Sequence, residues 1–195
     1  MIRPVTTDDL DKIAQMHKMQ FSDHYLGKFS PKLIGRFYKE YLSEESLILL
    51  VCLKGDEVEG FVLGGFSDKL NACSGMFLKS YIVSYTFEIL CRPTSWWDTG
   101  ARIINILKSR LKKSNANPSS ARFRLLSISV SKKLQSKGTA RELVLAFERA
   151  IPRHINIYGL SAHANNYRAI GFYQKMGFVK EKKVKDSIYM IKHIK

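Results

Sequence analysis

Between Phe123 and Ala150 the chain changes period, and that change constrains the fold more than any other feature. Phe123 to Val130 reads as a strand, and Gly138 to Ala150 as a helix with Leu143, Val144, Phe147 and Ala150 facing inward. Only a short turn lies between them. The alternation then repeats. Ile155 to Ala162 is a strand, and Asn166 to Met176 is a helix stopped by Gly177. Phe178 to Val184 and Ser187 to Ile194 are two final strands. Strand–helix–strand–helix–strands implies a mixed sheet covered by helices.

Upstream, Ile2 to Pro4 is a short strand. Thr6-Thr7-Asp8-Asp9 supplies capping and acidic residues for a helix that continues through Leu10, Ile13, Ala14 and Met16-His17. Ser30 caps a second helix, with Pro31 in its first turn and Leu33, Ile34, Phe37, Tyr38, Tyr41 and Leu42 on its apolar face. Leu47 to Leu53 and Val58 to Phe66 pair as a hairpin across Lys54-Gly55-Asp56. Residues 67–120 differ in character. An apolar helix-like run leads to Pro93 and Trp96-Trp97, then to a basic helix-like run from Ala101 to Lys113, and Asn115 to Ser120 closes as a loop. This segment reads as a helical insertion within a single domain spanning 1–195. The expected class is α/β of the α+β type.

The 195 residues carry 32 Lys and Arg against 17 Asp and Glu, a formal net charge of +15. Such a surface attracts anions at long range. Nucleic acid is not the expected partner, because no zinc-finger spacing or aromatic RNA-binding motif accompanies the charge. Three cysteines, Cys52, Cys73 and Cys91, form no CxxC pair, and no metal site is expected. Cys52 reads as a core residue. No signal peptide is visible at Met1 to Val5, and the apolar-rich run from Met76 to Cys91 is interrupted by Lys79 and Glu88. The expected setting is cytoplasmic.

Chemistry concentrates in Val130-Ser131-Lys132-Lys133-Leu134-Gln135-Ser136-Lys137-Gly138-Thr139-Ala140. Gly138 and the small Ala140 allow close backbone approach to a ligand. The first helical amides lack internal partners and, with the helix dipole, suit a phosphate group. Lys132, Lys133, Lys137 and Arg141 add positive charge. The segment has neither the GKS/GKT ending of a P-loop nor a GxGxxG. One strand downstream stands Asn166-Tyr167-Arg168-Ala169-Ile170-Gly171-Phe172-Tyr173-Gln174-Lys175-Met176-Gly177-Phe178.

Together the two segments resemble the GNAT superfamily of acetyl-coenzyme A-dependent N-acetyltransferases. Gln135, Gly138 and Ala140 match that family's Q/R-x-x-G-x-G/A turn. Asn166, Ala169, Tyr173, Gly177 and Phe178 match its N-x-x-A-x-x-x-Y-x-x-x-G-F pattern. The likeness covers Phe123 to Phe178 and omits residues 67–120. It implies a mixed, mostly antiparallel central sheet flanked by helices. It assigns Gln135, Ser136, Lys137, Gly138, Thr139 and Ala140 to the coenzyme pyrophosphate, and Ile128, Ser129 and Val130 to the pantetheine arm. A backbone amide there, such as that of Val130, would polarise the thioester carbonyl. Asn166 and Ala169 would lie against pantetheine, and Tyr173 would be the general acid. Many relatives carry a Glu base near the fourth strand, but Arg122 to Val130 contains no acid. Ser127 or Ser129 through water, His24 with Asp23 and Tyr25, and His163 remain as alternatives, with His24 the named candidate.

The acceptor is expected to be a neutral or anionic small molecule, because a +15 protein repels polycations. An amino sugar or nucleotide-linked amino sugar fits, with Arg122 and Arg124 available to an acidic group. Acetylation of a protein, a peptide or a small amine is the alternative. A non-catalytic coenzyme A-binding or nucleic-acid-binding module is the reading of another class. The insertion suits a lid over the acceptor, a homodimer surface or a peripheral membrane contact through the basic amphipathic stretch 101–113, whose apolar side is expected to pack on its own domain.

Overall fold

The computed structural model describes residues 1–22, 26–81 and 119–194. Seven strands form one sheet: β1 (Ile2–Pro4), β2 (Ile48–Lys54), β3 (Glu57–Phe66), β4 (Phe123–Val130), β5 (Ile157–His163), β6 (Val179–Val184) and β7 (Ser187–His193). Their order is β1-β2-β3-β4-β5-β7-β6. Every neighbouring pair is antiparallel except β4 and β5. Five α-helices accompany them among the described residues: α1 (Leu10–Gln20), α2 (Pro31–Leu42), α3 (Ser67–Ser80), α4 (Thr139–Ala150) and α5 (Tyr167–Lys175). This is the mixed, mostly antiparallel sheet with flanking helices that the sequence implies. The basic stretch 101–113 lies outside the described residues. The described start of the insertion, α3, is helical and packs Leu70, Cys73 and Phe77 into the same core as α1 and α2.

The sheet has a core on each face. On one side α1, α2 and α3 pack Ile13, Leu33, Ile34 and Tyr38 against Val51, Phe61 and Leu63. On the other, α4 and α5 pack Leu143, Phe147, Ile170 and Tyr173 against Val62, Phe123, Tyr158 and Leu160. Alternation along β3 sends Phe61 and Leu63 to one core and Val62 to the other. In α4 the inward residues are Leu143, Val144, Ala146 and Phe147. Ala150, expected inward, is exposed, because the helix ends there and Ala146 occupies the face one turn earlier.

Local chemistry fixes the helix starts. Ser30 accepts the Leu33 amide at 3.2 Å, with Pro31 at the first turn. Asp9 accepts from the Thr6 amide at 2.8 Å and receives a two-pronged Arg3 guanidinium at 2.7 and 2.9 Å. That guanidinium, first, and the Thr6 contacts hold the Asp9 carboxyl down at about 2.

Two features of the sheet set the geometry around β4. Leu63 faces Ser127 while Gly64 faces Leu125, so Leu126 is the extra residue of a β-bulge and is 49% exposed. Beside the bulge, a Cβ on Gly64 would lie 2.4 Å from the Arg124 carbonyl oxygen and 2.5 Å from the Phe147 ring. The missing side chain is what lets α4 sit so close to β3 and β4. Gly64→Ala is therefore expected to lose about 3 kcal/mol by overpacking, read as a lower midpoint in urea. Gly75→Ala, whose Cβ meets nothing within 4 Å, should show no such loss.

Four core tyrosines, Tyr38, Tyr41, Tyr158 and Tyr173, are pushed above the ordinary phenol value chiefly by burial, Tyr41 and Tyr173 to about 12. The unfolded chain ionises near 10, so it gains the anionic state first. This contribution to stability is complete below pH 10 and is lost as pH rises through about 12. Thermal melts should fall steeply over that window, with tyrosinate absorbance from these four rings appearing only on unfolding. Tyrosinate growth well below the melting transition would contradict this.

Candidate functional site

After Val130 the chain makes one 3₁₀ turn, Lys132–Leu134, then Ser136 and Gly138 adopt left-handed backbone at φ 64° and 88°. Gly138 is the N-cap of α4 and takes that conformation without steric cost. The first intrahelical bond runs from Glu142 N–H to Gly138 O at 3.0 Å. The amides of Thr139, Ala140 and Arg141 thus precede the hydrogen-bonded ladder and have no intrahelical partner. A Cβ on Gly138 would meet nothing within 4 Å, so the space in front of these amides is open. Lys132, Lys133, Lys137 and Arg141 are exposed around it. Open space, unpaired amides, a helix N-terminus and four cations fit a pyrophosphate.

Next to this cradle the sheet opens. β4 and β5 pair only at Phe123–Tyr158 and Arg124–Gly159, then diverge. Ser131 N–H donates to Glu59 O at 2.9 Å on the β3 side. Backbone direction alternates along a strand, so the N–H of Ser129 also faces β3, while those of Ile128 and Val130 face the gap. The Val130 carbonyl accordingly receives Gln135 Nε2 from that side at 3.4 Å. The gap is a free strand edge leading to the cradle, and it can accept an extended ligand as an added strand.

Gln135 does more than its place in the turn suggests. Its amide also reaches Gln20 Oε1 at the end of α1 (3.4 Å), and its oxygen accepts from Arg168 Nη1 of α5 at 3.1 Å. One side chain therefore ties β4, α1 and α5 to the turn. Neither Gln20 nor Arg168 stood out in sequence, because the contacts span 115 and 33 residues.

On α5, Asn166 is the N-cap, its side chain accepting the Ala169 amide at 3.0 Å. That leaves its NH₂ donors for any ligand. The helix closes with a Schellman motif: Phe178 N–H donates to Tyr173 O and Gly177 N–H to Gln174 O, both at 3.0 Å, with Gly177 at φ 89°. The Tyr173 and Phe178 rings then meet edge-on at 5.5 Å. Tyr173 is 8% exposed, and its hydroxyl donates no hydrogen bond to the described residues. Burial keeps it protonated up to about 12.

The described site contains no carboxylate on β4. Ser127, one residue past the bulge, lies beside the buried Tyr38 hydroxyl, and that hydroxyl is hydrogen-bonded to His17 Nδ1 at 2.7 Å. A polar track thus runs from β4 into the α1–α2 core. Nothing in the sequence set His17 and Tyr38 apart from ordinary core residues. His24, with Asp23 and Tyr25, lies outside the described residues. His163 ends β5 exposed, with Nδ1 accepting the Asn165 amide at 3.3 Å. Of the two arginines, Arg122 is exposed and Arg124 half-buried. A separate cavity of about 510 Å³, lined by Glu148, Arg149, Arg153 and Lys192, opens at the opposite end of α4. There Glu148 is already engaged by Tyr158 and Lys192.

Residues 102–180 match the model of the acetyltransferase (GNAT) domain. No curated protein matches the chain in sequence. Solved structures share the fold across its length. A structure described only as an acetyltransferase aligns over 100% of both chains at a TM-score of 0.67 and 17% identity. The PaiA N-acetyltransferase of Thermoplasma acidophilum, solved with coenzyme A, aligns over 100% of this chain and 98% of its own at 0.58 and 15%. Ard1 of Thermoplasma volcanium covers 100% and 97% at 0.59 and 16%. By domain match residues 102–180 resemble the GNAT acetyltransferase domain, and the chain shares its fold with solved acetyltransferases, one of them solved with coenzyme A.

Proposed function

We propose that the protein transfers the acetyl group of acetyl-coenzyme A to a primary amine by direct attack, with Tyr173 as general acid. The observation that carries this reading is the free β4 edge running from the α4 cradle, with a buried tyrosine, Tyr173, in the core on the α4 side of the sheet. Gln135 to Ala140 would hold the pyrophosphate. Ile128 to Val130 would pair with the pantetheine arm, and Asn166 and Ala169 would flank it. The Val130 amide, facing the gap, would donate to the thioester oxygen as it becomes an oxyanion. The donor substrate supplies an activated acetyl thioester.

The proton inventory follows from the acidities. A phenol at about 12 passing its proton to a thiolate near 8.5 is uphill by about 3.5 units, or roughly 5 kcal/mol, as an isolated step. Tyr173 therefore gives its proton to sulfur as the C–S bond breaks and is resupplied from the nitrogen, which turns acidic on bonding to carbon. The other proton, lost before attack, leaves through Ser127 toward Tyr38 and His17. This replaces the carboxylate that β4 lacks. It takes the place of His24 in our reading.

Net charge of +15 favours an acceptor that is neutral or anionic, and an amino sugar or nucleotide-linked amino sugar is the class we favour over proteins, peptides or small amines. Buried free Cys52 and Cys73 suit a reducing, cytoplasmic setting. No described helix is long and apolar enough to cross a membrane.

Calorimetry with acetyl-coenzyme A should give saturable one-to-one binding that weakens at least tenfold in Gly138→Trp, since the new side chain occupies the open cradle. Absence of binding by folded wild type would overturn the donor site. In a screen of amino-sugar nucleotides, Tyr173→Phe should keep donor affinity within about threefold while turnover drops about 10²–10⁴-fold. Unchanged turnover in Tyr173→Phe would remove its role as acid.

A further inference from the structure

Arg124 is the last residue of β4 to pair with β5, opposite Gly159, at the closed end of the gap. Its neighbours Phe123 and Leu125 belong to the core under α4. Alternation therefore turns Arg124 to the opposite face of the sheet. Its guanidinium rests over the Tyr189 ring at 5.1 Å. Nη1 is sealed from water and has no hydrogen-bond partner. The nearby carboxylate does not answer it, because Glu181 accepts Ser119 Oγ–H and Ser120 N–H, each at 2.7 Å. A guanidinium is a rigid fork of five donors that matches phosphate and carboxylate oxygens. A buried donor left without an acceptor costs stability, and a half-buried arginine still presents the outer edge of its fork.

We propose that Arg124 is the anchor for an oxyanionic group on the acceptor. The inference rests on the reading of the gap as the acetyl-transfer site. It names the acceptor's second recognition element: an acidic group held away from the amine. Arg124 stands opposite Gly65 and Ile128 opposite Val62 across the bulge, so the two positions are three strand steps apart, roughly 10 Å at 3.3 Å per residue. The acceptor's amine and its oxyanion are separated by a distance of that order. Tyr189 backs the fork and fixes its plane. Arg122, exposed and two residues earlier, holds its carbonyl to Ser67 N and Oγ at 2.9 Å and serves as the surface control.

The test is calorimetry on the full chain saturated with coenzyme A, at fixed ionic strength. Uridine diphosphate serves as the phosphate probe and glucuronate as the carboxylate probe. Wild type is expected to bind at least one of them saturably. Arg124→Met should lose at least tenfold in that affinity, and Arg122→Met should match wild type. Coenzyme A binding should be equal in all three, and the Arg124→Met melting temperature should equal or exceed that of wild type. Failure of both probes to bind wild type while coenzyme A binds would overturn the anchor and leave the donor site standing. Equal losses in the two arginine variants would assign the binding to diffuse charge and overturn it. A lower melting temperature for Arg124→Met with unchanged probe affinity would make Arg124 structural and overturn it too. Failure of coenzyme A itself to bind would instead undo the function on which the inference rests.

Discussion

Only two rungs of backbone pairing, Phe123–Tyr158 and Arg124–Gly159, join the two halves of the sheet. β4 goes on for six more residues with one edge bonded to β3 and the other unbonded to β5. An exposed strand edge is normally a liability, and this one is kept open by what lies beneath it. Phe147 of α4 touches both Phe123 and Tyr158, with ring centroids 6.1 and 5.9 Å away. Tyr158 in turn meets Phe178 at 5.0 Å. The helix side chain bridges the strands at their closed end, so they can part beyond it without the sheet separating. Gly64 gives Phe147 the room to do this.

The bulge and the gap are linked through the same residues. Once Leu126 is extruded, Ser127 points at Tyr38 in the α1–α2 core, while Leu125 stays under α4. Without the extra residue, every side chain beyond position 126 would change face. The hydroxyl that meets the buried tyrosine is thus placed by a backbone irregularity, and its neighbouring amides, at Ile128 and Val130, face the gap. The extra residue sets the phase of the strand after it, so the Ser127 side chain and the Ile128 and Val130 amides are turned together.

Much of this was legible in the residues themselves. Gly138 announces a left-handed N-cap and unpaired amides, because few other residues tolerate φ 88°. The Tyr173…Gly177-Phe178 spacing is the Schellman motif written in sequence: Gly at C′, an aromatic at C″, and the residue it packs on at C3. Such features are local, so short patterns encode them. The parting of β4 and β5 is not local; it depends on Phe147, Tyr158 and Gly64 meeting from three elements. Leu125-Leu126 breaks the alternation of β4, and that doubled leucine is the one sequence trace of the bulge. The His17–Tyr38 pair looked like ordinary helix-face periodicity, because nothing in spacing distinguishes a buried hydroxyl bonded to imidazole from one bonded to backbone.

Burial of Tyr173 has two opposite consequences, and their balance decides what the residue can do. Desolvation raises its pKa to about 12, which makes it a poor donor to a free thiolate. The same burial keeps the proton on the phenol at every pH well below that value. In the proposed acid role, a donor that is always loaded but reluctant would not act ahead of the bond changes; it would act with them, when charge on sulfur and acidity on nitrogen rise together. The Schellman closure serves that requirement. Tyr173 O is bonded to the Phe178 amide and its ring abuts the Phe178 ring, so the phenol is held by backbone and by packing at once. A concerted transfer demands such fixed geometry, since a misplaced donor would leave only the uphill route.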